Sequence, residues 1–208
     1  QQEELLAYLR NKAVRMLGWL ETVTYRNGQI PMVNDAAHGI SPSSDQLFEY
    51  SKYLGLHWDR LVLEESGYRK WETENYECFM DLGAIGPDYI PGHAHADTFN
   101  FELNLNKQPF IVDTGISTYE KNEKRQEERS TKSHNTILVN NRNQSEVWGG
   151  FRVARRARIL NIEKDENGYT AFHNGYKKIG VIHKRSFCFS SEEIIIKDDL
   201  LGKITDNK

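Results

Sequence analysis

Phe99-Asn100-Phe101-Glu102-Leu103-Asn104-Leu105-Asn106 alternates apolar and polar residues without a break. That period of two belongs to a β-strand with one face turned to a core, so it predicts a half-buried strand. Asn106-Lys107-Gln108-Pro109 supplies turn chemistry, and Phe110-Ile111-Val112 returns as the partner strand. Residues 136–139, 158–163, 169–172, 185–189 and 193–197 repeat the pattern as short strands. Many short strands with turn residues between them predict an antiparallel sandwich.

The first part of the chain follows another period. Leu5, Leu6, Leu9, Ala13, Leu17 and Leu20 recur at helical spacing, predicting an amphipathic helix over residues 3–25 that Asn27-Gly28 stops. Ser43-x-x-Gln46 fits a capping box, Leu47, Phe48 and Leu54 form an apolar stripe, and Gly55 suits the far cap of a second helix. The change of texture near Leu63 gives an α+β chain. Residues 1–62 are helical and residues 63–208 are antiparallel β. Residues 120–132 are dense in charge and predict a solvated helix or mobile loop rather than a binding surface.

With 208 residues, 38% hydrophobic and 27% charged, the chain can bury a core and stay soluble. Its net charge of −3 argues against nucleic acid as the main partner, although Arg152, Arg155, Arg156 and Arg158 could attract an anionic polymer. No apolar run is long enough for membrane insertion. The chain opens inside a helical pattern, which suggests a segment of a longer protein. Cys78 and Cys188 form no motif; they could pair in an oxidising compartment, but two buried free thiols are the expectation.

The chemistry concentrates in Gly92-His93-Ala94-His95-Ala96-Asp97. If this segment runs into the next strand in phase, its three polar side chains share the side of Phe99 and Phe101. Polar groups aimed at an apolar layer need partners, either a metal ion or a tight hydrogen-bond network. Val112-Asp113-Thr114-Gly115 adds an acid at the end of the return strand, and Ser133-His134-Asn135-Thr136 adds another imidazole. Neutral imidazoles with a carboxylate suit zinc. His38, His57, His173 and His183 are expected in ordinary polar environments.

Taken in order, Gly92-His-Ala-His-Ala-Asp97, Phe110-Ile-Val-Asp-Thr-Gly115, Ser130-Thr-Lys-Ser-His-Asn-Thr136 and Gln144 resemble the heparinase II/III-like polysaccharide lyases. Upstream, Gly28-Gln-Ile-Pro-Met-Val-Asn-Asp35 and the capped helix resemble the end of that family's α/α toroid. The resemblance implies terminal toroid helices over residues 1–62 and the first part of a large β-sandwich over residues 63–208. It implies a structural zinc held by His95, Asp113 and His134, with His93 as the catalytic histidine beside the cleft. Asn135 and Tyr119 are the candidates for contacting substrate.

The implied reaction is β-elimination on a uronic-acid-containing glycan such as a glycosaminoglycan or alginate. His93 would serve as base or as a donor polarising the uronate carboxylate. The family also uses a tyrosine and an asparagine or histidine from the toroid, upstream of this segment, so the segment alone is expected to be inactive. A periplasmic or secreted location goes with the resemblance. Two other readings share the residues. A non-catalytic glycan-binding sandwich would keep the zinc and stack sugars on Trp148, Tyr119 or Trp71. A zinc metallohydrolase would read His93-x-His95-x-Asp97 as its core, but Thr98 stands where that motif continues with histidine and a strand pattern follows instead of a helix.

Overall fold

The structure, a computed structural model, describes residues 1–203. Two helices open the chain: α1 (Gln2–Val23) and α2 (Ser44–Tyr53). The second starts on the full capping box: Ser43 accepts from the Gln46 amide while the Gln46 side chain accepts from the Ser43 amide. Gly55, with φ of 66°, follows its end as the spacing predicts. Among the described residues, no helix is long and apolar enough to cross a membrane.

The rest is mainly antiparallel β-structure. Strands β1 (Tyr68–Glu72), β2 (Tyr76–Asp81), β3 (Phe101–Leu105) and β4 (Gln108–Ile111) form one sheet in sequence order. After the short helix α3 (Glu123–Glu128) come a hairpin of β5 (Glu146–Trp148) and β6 (Arg152–Ala154), then β7 (Ile159–Asp165), β8 (Gly168–His173), β9 (Val181–Phe189) and β10 (Ile194–Gly202). These last four make the second sheet in the order β10-β9-β8-β7. The inner faces meet in one core, with Tyr76, Cys78, Met80, Phe101 and Leu103 on one side and Tyr169, Ala171, Phe187 and Phe189 on the other. Trp71 stacks on Phe189 at 4.8 Å between ring centroids and so belongs to this core rather than to a sugar platform.

Several expectations are corrected. Strand β3 is buried on both faces, not half-buried. Its polar face lies under the helical part: Glu102 accepts from the Tyr25 hydroxyl and the Met32 amide, and burial pushes its carboxyl up to about 8. On β2, Phe79 packs with Val23, Tyr25 and Leu63, while buried Glu77 takes both the Arg26 amide and the Lys70 ammonium. Each fully buried apolar side chain here contributes roughly 1.5–3 kcal/mol, which ties the helical part to the sheet.

Leu5, Leu6 and Leu9, expected to face a core, are exposed, and α1 buries only its C-terminal half. Residues 136–139 form no strand and leave a single bridge, Val139 to Arg142. Cys188 is exposed, whereas Cys78 is buried; both are free thiols. Residues 92–100 do not continue β3 in phase. Phe99, fully buried, adopts φ of 67°, which turns the chain just before the strand. Such a conformation persists only where surroundings impose it. Here the Asp81 carbonyl accepts from the Phe99 amide, Arg185 donates to the Phe99 carbonyl, and His173 packs on the ring at 4.7 Å.

Candidate active site and metal centre

Four loops converge beside the first sheet. One follows α1 and carries Asp35; the second joins β2 to β3 and carries His93, His95 and Asp97. The third follows β4 and carries Asp113, and the fourth follows α3 and carries His134. Gly115 lets two of them touch: at φ of 58°, a side-chain carbon there would sit 2.2 Å from the Ala36 carbonyl oxygen.

Asp35 is the hub. Its Oδ2 accepts from His93 Nδ1 at 2.6 Å and from Arg125 Nη2 at 2.8 Å, and its Oδ1 accepts from His95 Nε2 at 3.0 Å. Burial opposes its charge, but these three donors outweigh that cost and hold the carboxyl well below the usual carboxylate range. One carboxylate therefore sets two tautomers. His93 keeps Nε2 free, on a side chain that is 64% exposed. His95, fully buried, keeps Nδ1 free.

His134 is set in the same way. Its Nδ1 donates to Asp113 Oδ2 at 2.6 Å, and Asp113 is itself fixed by Asn100 and the Gly115 amide. Burial disfavours the charged imidazole, yet the Asp113 hydrogen bond and the charges of Asp113, Asp97 and Asp81 raise its pKa. Asp81 is pushed far up by burial and by Asp97.

The residues fit a metal ion on two observations. His95, Asp97 and His134 each offer one ligand atom within 4.8 Å of the others. His95 Nδ1, Asp97 Oδ2 and His134 Nε2 are also buried atoms with no hydrogen-bond partner. Polar atoms in that state cost about 1–3 kcal/mol each, and a shared cation removes the cost. Both imidazoles are backed by a carboxylate on the opposite nitrogen, the arrangement that orients metal-binding histidines. Asp113 thus stands against His134 Nδ1, while the carboxylate beside the two unpartnered nitrogens is Asp97.

Around His93 lies a partly exposed aromatic cluster. Tyr119 and Phe151 stack at 6.0 Å, and the His93 ring meets both edge-on at 6.1 and 6.2 Å. Arg125, fully buried, lies 4.2 Å over the Phe151 ring and donates to the Gly150 and Thr118 carbonyls. Asn135 points elsewhere: its amide nitrogen donates to the Phe101 and Val112 carbonyls and clamps β3 to the end of β4.

The charge-dense stretch of residues 120–132 is therefore not a solvated helix. Arg125 and Arg129 are both fully buried, with Arg129 donating to the Ala94 carbonyl. Their spacing of four placed them on one helix face, the signal that could have marked them as inward-pointing. The sequence reading also passed over Asp35 as a functional group.

The two packed antiparallel sheets form a sandwich that is found in proteins of known structure. The chain superposes on heparan sulfate lyase HepC from Pedobacter heparinus with a TM-score of 0.61, at 17% identity over 88% of this chain and 31% of that one. Heparinase III gives a TM-score of 0.54, at 18% identity over 86% of this chain and 31% of that one. The chain thus spans about a third of the length of these structures. Residues 57–207 match the heparinase II/III-like C-terminal family model, and the chain belongs to that family. No curated protein sequence matches it significantly.

Proposed function

We propose that this chain belongs to a polysaccharide lyase that cleaves a uronic-acid-containing acidic glycan by β-elimination. One observation carries the reading: His93 keeps Nε2 free on an exposed side chain beside Tyr119 and Phe151 while Asp35 holds its other nitrogen. The relatives it superposes on are named as heparan sulfate lyases, which supports an acidic glycan as substrate.

In this reaction a base takes the C5 proton next to the uronate carboxylate, the C4–oxygen bond breaks, and an acid protonates the departing oxygen. His93 Nε2 accepts the C5 proton and returns it to that oxygen, or, protonated, it donates to the carboxylate to stabilise the carbanionic charge while groups upstream of this segment take the C5 proton and protonate the oxygen, according to which face of the sugar carries the proton. Tyr119 and Phe151 flank the His93 ring. Asp35 keeps the His93 imidazole in one tautomer and lowers the cost of its positive charge. The separation of His93 from the His95–Asp97–His134 group favours this reading over a hydrolase in which all three motif residues share the metal.

Zinc is the ion we propose for that group. It would be held by His95 and His134 with a carboxylate, and it supplies positive charge that fixes the four loops. The resemblance gives that carboxylate as Asp113, whereas the unpartnered Oδ2 of Asp97 offers itself for the same place. Zinc titration separates the two. With Asp97 as ligand, Asp97→Ala abolishes tight binding, and Asp113→Asn weakens it roughly 10–100-fold. The reverse ranking makes Asp113 the ligand.

The reaction is tested by ultraviolet absorbance of the unsaturated uronate formed from a panel of acidic polysaccharides by the full-length protein. Absorbance is expected to grow with one class of glycan and to fall at least 100-fold in rate for His93→Ala, the scale of general acid–base catalysis. A panel that yields no double bond would overturn the reading.

A further inference from the structure

At the base of the β5–β6 hairpin lies a cavity of about 750 Å³. Arg142, Arg155, Arg156, Lys177 and Lys178 line it together with a single carboxylate, Glu146. Five cationic side chains around one hollow stand out in a chain whose net charge is −3. Part of that charge is paired within the protein. Arg155 meets Glu146 and Arg156 reaches Asp88 at 2.7 Å, while Arg142 and Lys178 have interactions of their own. The lining still carries an excess of positive charge, and Lys177 and Lys178 stand exposed on a single 3-10 turn.

Two further features suit a saccharide. Trp148 forms part of the wall with 47% of its surface exposed, leaving an indole face against which a sugar ring can pack. Arg155 is held at φ of 41°, a conformation that costs energy for any residue with a side chain and that clusters at ligand sites.

The hairpin links this hollow to His93. Phe151 sits at its tip, 6.2 Å from His93, and the four residues from there to Arg155 span roughly 10–13 Å at strand spacing. We propose that the cavity is a second binding site for the glycan chain. It would take a sulfated or carboxylated stretch some sugars away from the linkage presented to His93. This rests on the lyase reading for the identity of the ligand, but not for the existence of the site. The charge supplies long-range attraction and Trp148 the contact that distinguishes sugar from other polyanions.

The test uses heparin and alginate octasaccharides, with a neutral maltooctaose as control, titrated into the full-length protein and followed by calorimetry. The variants are Lys177→Ala/Lys178→Ala and Trp148→Ala. One acidic octasaccharide is expected to bind the unaltered protein, and each variant to lose at least tenfold in affinity. The KM for long polymer should rise in step while kcat and the turnover of short oligosaccharides stay the same. Unchanged affinity and KM in both variants would overturn the site even if the lyase reaction is found, as would equal binding of maltooctaose or no binding of either acidic probe. If no polysaccharide is cleaved but the variants still lose octasaccharide binding, the site stands and the lyase reading falls. Loss in the lysine variant alone would reduce the hollow to a general polyanion surface and overturn the saccharide assignment.

Discussion

Replacing Asp35 with alanine is expected to cost about 3–5 kcal/mol of stability, because it leaves a fully buried guanidinium without its carboxylate. The loss comes from Arg125, whose remaining acceptors are the uncharged Gly150 and Thr118 carbonyls. Two functional effects accompany it. His93 loses the acceptor on Nδ1, so its free nitrogen is no longer fixed. His95 loses the acceptor on Nε2, so its Nδ1 is no longer held ready for a cation. Urea unfolding reads the stability loss and zinc titration of the still-folded variant reads the effect on His95. Adding Arg125→Leu to Asp35→Ala should restore much of the stability without restoring zinc affinity, since only the stranded charge is removed. A double variant as unstable as the single one would show that the cost lies elsewhere.

The second large effect is expected in the other sheet, at Asp198. Arg185 grips Asp198 with two nitrogens at 2.7 Å and donates through Nη1 to the carbonyls of Phe99 and Asn135. It therefore ties β9 and β10 to the residues flanking the site. Asp198 also accepts from His183 at 2.6 Å, and His183 accepts from His173, whose other nitrogen takes the Gly175 amide. The direction of this chain requires both imidazoles to be neutral.

Asp198→Ala strands Arg185, which is 4% exposed, and should cost about 3 kcal/mol. The pH dependence follows from the same groups. Burial, with His183 and Arg185 nearby, pushes His173 well below the ordinary histidine range, and burial lowers His183 despite Asp198. The unfolded chain therefore binds more protons than the folded one. Stability falls as pH drops below about 6.5, the ordinary histidine value, and is flat above it for these two groups. Asp198, held low against its own burial by His183 and Arg185, adds a further loss at more acidic pH. Glu102 and His134, whose pKa values are raised, act in the opposite sense over part of this range. Thermal unfolding from pH 8 to 5 therefore compares the unaltered protein with His173→Gln, which should lose less stability towards pH 5.

These two centres show which parts of the molecule were legible in sequence. The alternation marks a strand, which the structure forms over Phe101–Leu105, and Ser43-x-x-Gln46 marks a capping box, because each is a local rule with a local cause. The Asn106-Lys107 turn closes the β3–β4 hairpin with φ of 48° and 65°, as a tight two-residue connection requires. What failed depends on contacts made from far along the chain. Glu102 and Asn104 read as solvent-facing because nothing local says that Tyr25 and Met32 will cover that face. Arg125 read as a surface charge because its partner, Asp35, is 90 residues away. Residues 136–139 have strand composition, yet their hydrogen bonds go to Thr98 and Tyr176 instead of a neighbouring strand.

The histidine motif was found for the right residue types, but its assumed strand phase breaks at Phe99. That turn, unusual for a phenylalanine, is imposed by Arg185 and Asp81 and has no mark in the sequence. It also leaves Asp97, which the resemblance does not name as a ligand, beside the unpartnered nitrogens of His95 and His134.

The most direct measurement is the metal content of the purified protein by elemental analysis, beside its His134→Ala and His93→Ala variants. Near one equivalent of zinc in the unaltered protein and in His93→Ala, with loss in His134→Ala, is the result predicted by a metal centre separate from the reacting histidine. Absence of zinc from protein prepared without chelators, or equal loss in both variants, would contradict it.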